Sequence, residues 1–138
     1  MRLVRMAIIM IMQISAVVAF ADETTEISRL DSILRKARQQ GDMNKEDEAL
    51  VLKMTFFYNN ERDDSLKKEL PQTMELLKSH KSWKSYYDVW TLLVNLYNFS
   101  GDTSAGLKEV NDMYHDAKDR QDRFGMGMAY YAMGNVYS

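Results

Sequence analysis

Cysteine is missing from this chain altogether, histidine occurs twice, proline once and glycine six times in 138 residues. Each shortage excludes something. Without cysteine there is no disulfide, no thiolate metal site and no lipid-modified cysteine behind an export signal. His80 and His115 stand 35 residues apart with no H-x3-H spacing. The three or four convergent ligands of a metal centre are therefore not expected. A single proline and few glycines leave long stretches without interruption, which suits helices. Charge of one sign is not in excess either: 18 basic and 20 acidic residues give −2. No basic run is interleaved with aromatics, so nucleic acid is not an expected partner.

Catalytic arrangements are equally scarce. Asp63, Asp64, Asp112, Asp116, Asp119 and Asp122 are dispersed among lysines and arginines, a pattern of solvated helix faces rather than of paired acid and base. Gly125-Met126-Gly127 is too sparse for a phosphate-binding loop and reads as relief of crowding at a helix start. No catalytic residue, cofactor or metal is expected. What the chain does have is apolar content of 46%, enough for the core of one domain.

The first 21 residues differ from the rest. Arg2 and Arg5 precede an apolar run from Met6 to Phe20, and Ala19-Phe20-Ala21 has the small-x-small form of a cleavage site. Some fifteen apolar residues fall short of the roughly 20 that a membrane helix needs. Residues 1–21 are expected to be a signal peptide, with 22–138 the mature domain outside the cytoplasm. Losing two arginines and no acid would take the net charge from −2 to −4.

Helical periodicity fills the remainder. Ile27 to Gln40 carries Ile27, Leu30, Ile33, Leu34 and Ala37 on one side, and Arg29, Arg35, Lys36 and Arg38 on the other, before Gly41 stops it. Asn44 is expected to cap a second helix with Leu50, Met54, Phe57 and Tyr58 on its apolar face. After a polar turn, Asp64 or Ser65 should cap a third, striped by Leu66, Leu70, Met74 and Leu77. Pro71 lies inside it, crowds the carbonyl of Lys67 and so predicts a kink or a break at the proline. Trp83, Tyr86 and Tyr87 open a fourth helix, and Gly125 or Met126 should begin the last.

The most informative stretch runs from Trp90 to Val110. Trp90, Leu93 and Tyr97 share a helix face, Gly101-Asp102 breaks the pattern, and Thr103 or Ser104 should cap a helix facing inward through Gly106, Leu107, Val110 and Met113. Trp90, Leu93, Tyr97, Leu107 and Val110 are expected to be buried together. Forty residues after Trp90, Leu93, Val94 and Tyr97 come Tyr130, Met133, Gly134 and Tyr137; Leu50 and Phe57 lie 40 residues before Trp90 and Tyr97. On these residues the chain resembles the tetratricopeptide repeats, whose W-x2-L-G-x2-Y…A-x3-F pattern is matched by Trp90, Leu93, Tyr97, Gly106 and Val110. Val94 and Met113 stand where small residues are usual, no closing proline follows, and the period is 40 rather than about 34. The fold expected is all-α, with antiparallel helical hairpins stacked as a tetratricopeptide-like solenoid. The face of Met133, Gly134 and Tyr137 has no second helix after it, so the segment is expected to be the N-terminal part of a longer array.

The resemblance extends to the extracytoplasmic N-terminal regions of Bacteroidetes-type sensor histidine kinases, through Ala19-Phe20-Ala21, Gly101-Asp102…Gly106-Leu107 and the run from Arg123 to Gly134. It implies a sensory or protein-interaction module, tethered to the membrane only through a helix beyond the array. It also implies a concave groove for a peptide or protein partner, lined by Asn95 and Asn135, with Thr91, Asn98, Met128 and Tyr131 on the same face. Asp88 and Phe99 share that face. The alternative is a stand-alone periplasmic scaffold or a small exported enzyme with an unrecognised site.

Overall fold

The computed structural model describes residues 13–138, with side chains described from Asp22 onward. The expected signal, residues 1–21, lies outside the residues whose side chains are described. The described chain is all-helical: α1 (Gln13–Gln40), α2 (Met43–Asn59), α3 (Asp63–Ser79), α4 (Trp83–Phe99), α5 (Thr103–Asp119) and α6 (Arg123–Tyr137). No described helix is long and apolar enough to cross a membrane.

A 20-residue metre governs these boundaries. From α2 onward the helices begin at residues 43, 63, 83, 103 and 123. The residue two before each start has positive φ: Gly41, Glu61, Lys81, Gly101 and Gln121. Every turn is closed by the same pair of backbone bonds. At the central one, Gly101 N–H donates to the Asn98 carbonyl (3.2 Å) and Asp102 N–H to the Tyr97 carbonyl (3.0 Å). This Schellman closure satisfies carbonyls that the helix end leaves open.

After three of these turns an aspartate caps the next helix at once. Asp42, Asp102 and Asp122 accept from the N–H of Lys45, Ala105 and Gly125. The expected caps Asn44, Thr103 and Ser104 therefore lie inside their helices, and α6 begins before Gly125. Pro71 does not break α3, which is continuous from Asp63 to Ser79. Pro71 and Lys67 are both exposed, so the carbonyl that loses its partner faces water.

The chain forms two compact units, divided between Arg62 and Asp63. In the first, α1 and α2 form an antiparallel hairpin. Ion pairs mark its length: Arg38–Glu46 (2.8 Å), Lys53–Asp31 (2.8 Å) and Arg62–Glu23 (2.8 Å). Leu30, Leu34 and Ala37 of α1 are buried, as are Ala49, Leu50, Met54 and Phe57 of α2. Lys53, which breaks the apolar pattern of α2, keeps its stem buried while its ammonium meets Asp31 and lies 5.7 Å from the Phe57 ring centre.

The second unit holds α3 to α6. Helices α4 and α5 run antiparallel, since Trp90 Nε1–H donates to Glu109 (2.8 Å) and Tyr87 O–H to Asp116 (2.8 Å). Helix α6 is antiparallel to α5, with Tyr130 edge-on to Tyr114 at 5.4 Å. It also packs beside α4, and there the order of contacts is parallel. Lys84 meets the Phe124 ring at 5.5 Å, Gly125 sits on the Tyr87 ring, and Asn135 reaches Asn95.

The core of this unit comprises Leu66, Leu70 and Leu77; Tyr87, Trp90, Val94 and Leu96; Val110, Met113 and Ala117; and Ala129, Ala132 and Val136. Of the residues expected to be largely buried together, Trp90 and Val110 are buried and Leu93, Tyr97 and Leu107 half-buried. The reason is that α4 has neighbours on several sides, which moves its buried centre to Tyr87 and Val94. Thr73 similarly takes the buried place expected for Met74.

Candidate partner-binding face

The parallel pairing of α4 with α6 aligns residues 40 apart as rungs: Lys84 with Phe124, and Asn95 with Asn135. Asp88 accepts an ion pair from Lys84 at 2.9 Å. Phe99 of α4 and Tyr131 of α6 are 65% and 63% exposed. Asn95, Asn98, Asn135 and Met128 are half-buried.

The asparagines join the two helices. Asn98 Nδ2–H donates to the Asn135 carbonyl at 2.5 Å, and Asn135 Nδ2–H reaches Asn95 Oδ1 at 3.5 Å. The second contact is long, at the outer limit for an amide bond. Each amide retains donor or acceptor capacity beyond these contacts. Thr91 differs from the others: it is 6% exposed, and its hydroxyl donates to the Tyr87 carbonyl at 2.8 Å. The structure thus joins Asn95, Asn98 and Asn135, with Met128 and Tyr131 on the same helix as Asn135, while Thr91 is turned into the backbone of its own helix.

Two contributors escape a reading of the sequence. Phe124, 40% exposed, extends the aromatic side of the face, and its spacing of 40 from Lys84 was the available signal. The second is a cluster at the foot of α4. Arg120 lies 3.6 Å above the Trp83 ring, pairs with Asp116 at 2.7 Å and donates to the Tyr87 hydroxyl oxygen at 3.3 Å. Burial pushes the Tyr86 phenol up to about 12, with the Asp116 carboxylate adding to the effect. Burial also raises Tyr87, Arg120 opposing and Asp116 reinforcing the shift. Both phenols stay neutral at ordinary pH.

That cluster fixes the Tyr87 ring, on which α6 rests. A Cβ at Gly125 would come within 2.5 Å of Tyr87 Cε2 and 2.8 Å of Ala117 Cβ. Only a glycine allows this approach. Gly106, also expected to be a close-contact position, has looser surroundings: a Cβ there would lie 3.7 Å from Val136 Cγ2, an ordinary contact.

Among the described residues, no group of three His, Cys, Asp or Glu side chains converges as metal ligands would. The face offers amides, aromatic rings and a thioether, which suit hydrogen bonding and packing against a polypeptide. No family model, curated protein or solved structure matches the chain.

Proposed function

We propose that this chain is a tetratricopeptide-like interaction module that receives an extended peptide segment along the face shared by α4 and α6. The observation that carries this reading is the parallel placement of α4 and α6, with Asn95 and Asn135 on adjacent rungs 40 residues apart. Repetition of a polar amide at one height of successive helices offers a regular series of backbone-binding groups. Phe99, Phe124 and Tyr131 supply apolar contact beside it. The 20-residue metre of helix and turn supports a repeating hairpin architecture of the tetratricopeptide kind.

The signal-like N-terminus and the long, 40-residue pair of helices favour a place outside the cytoplasm, as the sensory N-terminal part of a membrane histidine kinase. Fold-level resemblance alone carries that assignment. A peptide library selected against the chain is the direct test of the binding role. Selected peptides should lose at least tenfold in affinity with Tyr131→Ala, while the melting temperature stays within a degree or two of the parent. Peptides that bind Tyr131→Ala and Asn95→Ala as well as the parent would place the partner elsewhere.

A further inference from the structure

Tyr114 of α5 and Tyr130 of α6 stand eight residues before and eight after Asp122, which caps α6. In an antiparallel pair, positions equally far from the turn face each other, and here the two rings meet. Their centres are 5.4 Å apart and their planes cross at 62°. Tyr130 is 60% exposed and Tyr114 half-buried. The phenol ends converge: a hydrogen bond with Tyr114 holds the Tyr130 phenol above its usual range, against the pull of Lys118. This contact lies within the α5–α6 pairing, so it does not depend on what packs against the outer side of α6.

Other tyrosines are placed differently. Tyr86 and Tyr87 are also edge-on, at 5.1 Å, but they are consecutive residues of one helix and both are buried. The Tyr87 hydroxyl is engaged by Asp116 and Arg120. Tyr114 and Tyr130 instead link two helices through their reactive ends. Coupling of these phenols would do for the hairpin what a disulfide does for two thiols. With no cysteine in the sequence, a disulfide is not open to it.

We infer that Tyr114 and Tyr130 form an oxidative cross-linking site, at which hydrogen peroxide acting through a haem peroxidase joins the two rings and staples α5 to α6. One electron and one proton leave each phenol, and the peroxide is reduced to two waters. The two phenoxyl radicals then couple, forming a carbon–carbon bond between ring carbons ortho to the oxygens. The hydrogens on those carbons move to the oxygens, which restores both phenols. The product carries two hydrogens fewer than the parent pair. The bond closes a loop through the turn at Gln121, which restricts the unfolded chain and so favours the folded hairpin. The inference does not rest on the peptide-binding reading.

Treating the dilute full chain with hydrogen peroxide and a haem peroxidase, then mapping peptides of the monomeric product by mass spectrometry, provides the test. A monomer lighter by two hydrogens is expected, with the fluorescence of a biphenol and a cross-linked peptide pair containing Tyr114 and Tyr130. Tyr114→Phe and Tyr130→Phe should each lower that fluorescence at least tenfold, while Tyr131→Phe leaves it unchanged. Both variants keep the ring, so before treatment they should melt close to the parent. After treatment the parent should melt at a higher temperature than Tyr114→Phe. A monomer without biphenol would overturn the inference, as would biphenol that persists in Tyr114→Phe or that maps only to other tyrosines. Cross-links formed only between chains would overturn it too, by showing that the rings do not meet within one molecule.

Discussion

Two glycines, both inside helices and both buried, have opposite roles. Gly125→Ala forces a methyl into the Tyr87 ring and Ala117, and should destabilise by about 1–3 kcal/mol through overpacking. Gly106→Ala meets only ordinary contacts and gains helix propensity, so it should stabilise by up to about 1 kcal/mol. Urea denaturation of the two variants checks both signs; equal losses would mean that α6 does not rest on Tyr87 as described. Tyr86 provides a pH prediction. Its phenol is raised from 10 to about 12 in the fold, so above pH 10 the unfolded chain releases a proton that the folded chain keeps. Stability from this group is intact below pH 10 and falls as pH rises towards 12. Denaturation at pH 9 and pH 11 should therefore show a smaller drop for Tyr86→Phe than for the parent.

Among the elements, the turns repeat more faithfully than the helices. Five residues with positive φ recur every 20 positions, and three of them are not glycine. A side chain in the left-handed region is strained by about 1–2 kcal/mol, and part of any gain on removing it is offset by the greater freedom of glycine in the unfolded chain. Lys81→Gly and Gln121→Gly should each raise stability by up to about 1 kcal/mol, measured by thermal or urea unfolding. Sequence reading found the turn at Gly101-Asp102 because glycine and aspartate announce it. The connections at Lys81 and Gln121 were legible too, but not their left-handed geometry, which long polar side chains do not mark. At Pro71 a kink or a break was expected, and the break is absent. A proline inside a helix predicts a break, yet an exposed position lets water take the freed carbonyl, and packing of Leu66, Leu70 and Leu77 on one side holds the helix together.

At the scale of the whole molecule, helical periodicity and the 40-residue echo made the all-helical character legible. They could not say which of two adjacent stripes would be buried. Tyr130, Met133 and Tyr137 copy the spacing of Trp90, Leu93 and Tyr97, but α6 buries Ala129, Ala132 and Val136 instead. A helix with three neighbours and a helix with two draw different faces inward from the same pattern. The pairing of Asn95 with Asn135 was legible for a related reason: residues 40 apart fall on neighbouring helices at one height. Thr91 was placed on that face by spacing, but its hydroxyl has a backbone partner within its own helix, a local preference that spacing does not encode.

The central claim is that the face shared by α4 and α6 receives a peptide. Backbone amide NMR spectra of the isotopically labelled chain, recorded during titration with a library-selected peptide, test it most directly. The account predicts shifts concentrated at Asn95, Asn98, Phe99, Phe124, Met128, Tyr131 and Asn135, reduced when Asn95 and Asn135 are both changed to alanine. Shifts centred on α3, or on Gly127, Gly134 and Tyr137 with the asparagine face unchanged, would contradict it.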